Sequence, residues 1–308
     1  MGHSAMASTP APPILPVRRL TRLLADLQTT IVGGGLRCFG GDVERFAIFS
    51  LIVSASLSGA DRGGAISVHS AALSLNRPFE TVRRHAYALV DGGYCTRSKA
   101  GLTVAPAAWT RPDIAALLGL THDAFVRFVD DCALFRALDL PPAAAGRQFT
   151  AIDGVQAAVA LMLGTADSNR AVHRDAVDLV LFSTILHANA LRYEEDGSIC
   201  IRVEAAPDAF GPAHAVRLSA IARTLNMPET TVRRRLADIT GPDRAVLRTP
   251  QGLVVSAGWM NTPQAVEVSE QSYSAIRRIL ARATSAGFPF DAPASAYLTG
   301  RPPTARVV

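Results

Sequence analysis

The sequence predicts a mainly α-helical chain with two small β-hairpins, laid out as two related halves. Three observations predict this. The segment Leu75-Asn76-Arg77-Pro78-Phe79-Glu80-Thr81-Val82-Arg83-Arg84-His85 returns 150 positions later as Leu225-Asn226-Met227-Pro228-Glu229-Thr230-Thr231-Val232-Arg233-Arg234-Arg235. Apolar residues recur at helical spacing through most of the chain. After each copy, two short strand-like runs flank a Gly-containing turn. A unit of this size signals a duplicated domain, because short solenoid repeats recur every ~20–50 residues.

The halves are expected at 18–145 and 146–291. Residues 1–17 and 292–308, rich in Ala, Pro and Ser, are read as flexible tails. Helical patterns over Arg18–Thr29 and Ala151–Gly164 open the halves, and Asp113–Leu138 and Pro263–Ala286 close them. Apolar stretches follow the opening helices: Ile48–Ile52 matches Leu181–Ile185, an offset of 133. The difference from 150 leaves 17 extra residues in the second half, which the polar, Gly- and Pro-containing stretch from Arg192 to Pro212 can hold.

In the first half, Val68, Ala71, Ala72 and Leu75 form one helical stripe that Asn76-Arg77-Pro78 interrupts. A second helix begins at Pro78, because the missing N–H of proline costs nothing in a first turn. It places Val82, Ala86 and Leu89 on one face and leaves Thr81, Arg83 and Arg84 on the others. The second half repeats the division, with Leu218, Ile221, Ala222 and Leu225 before the turn and Val232, Leu236 and Ile239 after it. Each second helix leads to a hairpin: Tyr94–Arg97 and Leu102–Ala105 around Ser98–Gly101, then Ala245–Arg248 and Leu253–Ser256 around Thr249–Gly252.

Two short helices joined by a tight turn, the second bearing arginines on its polar front and followed by a hairpin, resemble a winged helix-turn-helix domain of bacterial transcription regulators, close to the MarR and GntR types. The resemblance rests on Thr81-Val82-Arg83-Arg84-His85, Leu89, Gly92-Gly93-Tyr94 and the Gly101 turn, and covers roughly 70 residues of each half. In the second copy Gly241-Pro242-Asp243-Arg244 replaces Asp91-Gly92-Gly93-Tyr94. The resemblance implies double-stranded DNA as partner, a small-molecule effector, and flanking helices that join the two copies, pair two chains as a homodimer, or both.

The chemistry of the copied segment agrees with that expectation. Arginine carries a permanent planar fork that fits phosphate and the O6 and N7 atoms of guanine. The residues expected to meet DNA are Arg77, Thr81, Arg83, Arg84, Arg97, Lys99, Thr230, Thr231, Arg233, Arg234, Arg235 and Arg248. Their alternative fate is a solvated face paired with Glu80, Asp91, Glu229 and Asp238; recurrence at one position of a repeated motif favours DNA. His85 against Arg235, and Phe79 against Glu229, predict two non-identical half-sites.

A chain of 308 residues that is 49% apolar, with mean hydropathy +0.20, excludes a mostly disordered protein. The net charge of +5 weakly favours anionic partners. Cys38, Cys95, Cys132 and Cys200 are too widely spaced for a zinc site or disulfide framework, and no cofactor or catalytic constellation is expected. The apolar runs fall short of a membrane span and no secretory signal is visible, so a cytoplasmic, nucleoid-associated protein is expected. Gly33-Gly34-Gly35 is read as a connector between helices, and His122, His173 and His187 as surface or satisfied core histidines ahead of an effector pocket. Two other functions fit the same pattern: a plasmid-type replication initiator, and a protein-assembly scaffold that does not bind DNA.

Overall fold

A computed structural model describes residues 14–58, 64–143, 146–195 and 210–308. The chain is mainly helical with two small antiparallel hairpins. The first half runs α1 (Ile14–Cys38), α2 (Val43–Leu57), α3 (Val68–Leu75), α4 (Phe79–Asp91), β1 (Cys95–Ser98), β2 (Gly101–Val104) and α5 (Pro112–Leu134). The second runs α6 (Ala151–Ser168), α7 (Ala176–Glu195), α8 (Leu218–Thr224), α9 (Glu229–Ile239), β3 (Val246–Thr249), β4 (Gly252–Val255), α10 (Ala257–Met260) and α11 (Pro263–Ser285).

Local sequence accounts for the short elements. The α3–α4 turn passes through Asn76 at φ 50° and the α8–α9 turn through Asn226 at φ 49°, a left-handed conformation that asparagine tolerates better than most residues. Pro78 and Pro228 stand at the N-caps of α4 and α9. Val82, Ala86 and Leu89 of α4 are fully buried, as are Val232 and Leu236 of α9, with Ile239 nearly so. Truncating Leu89 to Ala costs about 2–5 kcal/mol on that basis.

The hairpins pair Cys95 with Val104 and Val246 with Val255, and bridge residues extend them: Ile66 to Leu102 in the first, Val216 to Leu253 and Thr240 to Val246 in the second. Gly101 (φ 133°) and Gly252 (φ 147°) open the second strands, where a Cβ would lie 2.6 Å from the Ile66 carbonyl oxygen and 2.4 Å from that of Val216. Only glycine allows that approach.

The flanking helices pack on one another across the halves. α1 lies along α5 and α7, while α6 lies along α5, α11 and α2. The end of each half's first helix braces the turn of the other half: Asn226 Nδ2 donates to the Leu36 carbonyl at 3.4 Å, and Arg170, just beyond α6, donates to the Ser74 carbonyl at 2.7 Å. The halves therefore share one continuous core.

Three expectations are corrected. Gly33-Gly34-Gly35 is not a connector but lies within α1, which continues to Cys38. A Cβ at Gly35 would sit 2.2 Å from the Phe46 ring and one at Gly34 2.6 Å from Leu120, so these glycines let α1 approach its neighbours closely. Of the N-terminal tail expected over 1–17, residues 1–13 lie outside the described residues. The remainder begins α1 at Ile14, with Pro16 in its first turn.

The C-terminal tail expected over 292–308 is instead a packed strap, because buried polar groups of α5 and α7 pair with its backbone. Asp123 accepts from the Leu298 and Thr299 N–H groups at 2.8 and 3.0 Å. Arg127, 1% exposed, donates to the Pro302 and Pro303 carbonyls at 3.0 and 2.8 Å and forms an ion pair with Asp26. His122 and His187 reach the carbonyls of Ala296 and Ala305 at 2.9 and 2.7 Å. Two of the three histidines weighed for an effector pocket are thus occupied by the strap. The third, His173, is buried between Phe182 and Trp259 without a hydrogen-bond partner on either ring nitrogen. Burial depresses its pKa to about 4, so it is neutral at pH 7.

Candidate nucleic-acid interface

Each second helix carries its apolar seam inward, which sends the remaining positions outward, but not all of the copied cations follow. On α4, Arg84 is exposed and Thr81 half-buried. Arg83 donates two hydrogen bonds to Glu80 at 2.9 and 2.6 Å, and this contact holds the Glu80 carboxyl below its usual range. An exposed pair of this kind is worth little and yields readily to a competing phosphate.

The first hairpin is tied to α4 through Tyr87. The guanidinium groups of Arg83 and Arg97 lie 5.5 and 5.2 Å from its ring centroid, and Arg97 donates to its hydroxyl at 2.8 Å. Lys99 stands exposed at the hairpin tip. Arg83, Tyr87 and Arg97 thus link α4 to β1, with Glu80 exposed on the same face.

The second unit is built on the same plan with a looser join. Thr230, Arg233, Arg234 and Arg248 are exposed, and Thr231 is half-buried. Arg233 lies 3.8 Å from Glu229 with 65% of its side chain accessible. Ala237 stands where the first unit has Tyr87, so no aromatic ring links α9 to its hairpin at that position.

Two of the expected DNA contacts are turned to other work. Arg77, in the turn before α4, pairs with Glu44 of α2 at 2.5 Å and with Asp175 at 3.2 Å. Arg235 of α9 pairs with the same Asp175 oxygen at 2.8 Å. Arg77 and Arg235 thus belong to a largely covered ion-pair cluster rather than to the outward face. Burial pushes the Asp175 carboxyl up, but the Asp178 N–H and the Arg235 and Arg77 guanidinium groups outweigh it, and the pKa is lowered overall. Asp178, deeper and beside Asp175, is raised, chiefly by burial.

The first unit has a counterpart of this contact. His85, which aligns with Arg235, places Nδ1 3.3 Å from Asp42, and Asp42 caps α2 by accepting from the Arg45 N–H at 2.9 Å. Asp175 plays the same part at α7, accepting from the Val177 and Asp178 N–H groups at 2.9 and 3.1 Å. His85 and Arg235 therefore differ as anchors of their helices to Asp42 and Asp175, which removes the ground for reading them as base-contacting differences. Sequence reasoning missed both aspartates, although Asp42 and Asp175 stand at the same 133-residue offset as the apolar stretches behind them.

Among the described residues no group of three or more His, Cys, Asp or Glu side chains is placed to hold a metal ion, and no helix is long and apolar enough to cross a membrane. Cys38, Cys95 and Cys132 are free thiols, with Cys95 and Cys132 buried; Cys200 lies outside the described residues. Comparison with protein-family models, with curated protein sequences and with solved structures finds no match to this chain.

Proposed function

We propose that the chain consists of two tandem winged helix-turn-helix units related by internal duplication, and that it binds double-stranded DNA sequence-specifically as a transcription regulator. The observation that carries this reading is the double recurrence of one local plan. Helix, bridge residue, helix, left-handed asparagine, proline-started helix and glycine-opened hairpin occur in that order in each half, and each plan presents exposed arginine at the same helical position, Arg84 and Arg234. Such a helix can enter a major groove while its wing meets the flanking phosphates.

With both units in one chain, a monomer supplies the two reading helices that ordinary regulators obtain by dimerising. The flanking helices α1, α5, α6 and α11 join the units within the chain. Arg83, Arg84, Arg97, Lys99, Arg233, Arg234 and Arg248 form the reading surface in this account, with Thr81, Thr230 and Thr231 near the helix starts as phosphate or thymine-methyl contacts. A cytoplasmic, nucleoid-associated location goes with the role.

Mobility-shift titration of the wild type and of Arg84→Ala/Arg234→Ala on promoter fragments tests it. Discrete complexes are expected for the wild type and are lost in the variant, with circular dichroism unchanged. Equal binding by both proteins refutes the assigned surface. Binding confined to repeated origin sequences turns the role to replication initiation, and no binding to any duplex leaves a protein scaffold.

A further inference from the structure

We propose that Asp175 is a joint that holds the two reading helices in one fixed relation, so that the protein accepts a single spacing between the two halves of its DNA site. The inference rests on the DNA-binding reading above and adds a positioning role to residues that do not touch DNA. Arg77 leads into α4 of the first unit and Arg235 lies on α9 of the second, yet both donate to Oδ2 of Asp175, at 3.2 and 2.8 Å. Arg77 also grips Glu44 of α2 through Nε at 3.2 Å. The line Glu44, Arg77, Asp175, Arg235 thus crosses from α2 of one unit to the reading helix of the other.

The cluster is sheltered. Side-chain exposure is 20% for Arg77, 9% for Asp175 and 23% for Arg235. Partly covered charges are screened less by salt than surface pairs, and stripping the carboxylate would leave two guanidinium groups converging on one point. Within the second unit, Arg174 ties the same cluster to α9 by binding Asp238 at 2.6 Å. The joint is one-sided: Met227 occupies the second-unit position equivalent to Arg77 and is buried, and Asp42 serves His85 and Arg45 of its own unit. The cross-unit pair is therefore not part of the duplicated plan.

A duplex turns once in about 10–10.5 base pairs, so one inserted pair both lengthens the site and rotates the second half away from a rigidly held helix. The test uses the full chain and the duplex it selects from a random pool. Binding is compared for that duplex, for versions with one base pair inserted or removed between the halves, and for a duplex bearing one half-site. Arg77→Met installs the residue the second unit already carries, and Asp175→Asn keeps a helix-capping side chain; circular dichroism checks the fold of each.

For the wild type, the altered spacings are expected to weaken binding on the order of tenfold or more, the scale of a lost base-pair contact. In Arg77→Met and Asp175→Asn the penalty shrinks to a few-fold while affinity for the single half-site is unchanged. A spacing penalty equal to the wild-type value in both folded variants overturns the joint. If the wild type binds no duplex, the DNA reading and the spacing claim fall together; wild-type binding with an unchanged penalty in the variants removes the spacing claim alone.

Discussion

The sorting of arginines into outward and inward sets predicts how binding responds to salt. Of the nine cations expected to meet DNA, seven point outward: Arg83, Arg84, Arg97, Lys99, Arg233, Arg234 and Arg248. Arg77 and Arg235 are held by Asp175. If each outward cation neutralises one phosphate, log affinity should fall against log salt with a slope of about −6, since each contact contributes about −0.9. Between 50 and 200 mM salt the affinity then drops on the order of 10³- to 10⁴-fold. Arg84→Ala/Arg234→Ala should flatten the slope by about 2. Arg77→Met and Arg235→Met should leave it unchanged, because those guanidinium groups release no counterions from DNA. Fluorescence anisotropy of a labelled duplex across a sodium chloride series reads these slopes directly. An Arg77→Met slope flattened as much as that of Arg84→Ala would refute the division, as would an Arg84→Ala/Arg234→Ala slope equal to the wild type.

Other consequences concern stability. His173 is neutral when buried, with a pKa near 4 against about 6.5 unfolded, so the unfolded chain takes up the proton first as pH falls. Its contribution is complete above about pH 6.5 and is lost towards pH 4, on the order of 3 kcal/mol in all. Urea melts between pH 7.5 and 4.5 should show His173→Phe losing less stability than the wild type, and parallel curves would contradict this. Arg127→Leu strands Asp26 and frees the strap, costing about 3–5 kcal/mol and lowering the melting temperature by roughly 5–8 °C; the Asp26→Leu/Arg127→Leu pair should recover part of the loss in calorimetry. Asn76→Gly should be near neutral in chemical denaturation, whereas Asn76→Val should cost about 1–2 kcal/mol, because a β-branched residue resists the left-handed turn.

Legibility in the sequence followed the range of the interactions. The stripe Val82, Ala86, Leu89 and its counterpart Val232, Leu236, Ile239 could be read from spacing alone, since burial of a helix face is written locally in a 3.6-residue period. The hairpins were legible from short strand-like runs around a Gly-containing turn, also a local signal, to within a residue at their ends. Composition failed at the strap. Its Ala- and Pro-rich chain carries little side-chain signal, and the groups that secure it, Asp123 and Arg127, lie far earlier in the sequence. Gly33-Gly34-Gly35 misled because glycine lowers helix propensity, and only the neighbouring Phe46 and Leu120 reveal why α1 needs it. Arg77 and Arg235 read as DNA contacts because their partner, Asp175, belongs to no local pattern around either.

Selecting bound duplexes from a random pool with the wild type and with Arg84→Ala/Arg234→Ala decides whether one chain reads a two-part DNA site through α4 and α9. The wild type is expected to enrich one motif with two halves about one helical turn apart, roughly 34–36 Å, and the variant to enrich none. Failure of the wild type to enrich any sequence, or recovery of the same motif by both proteins, would contradict it.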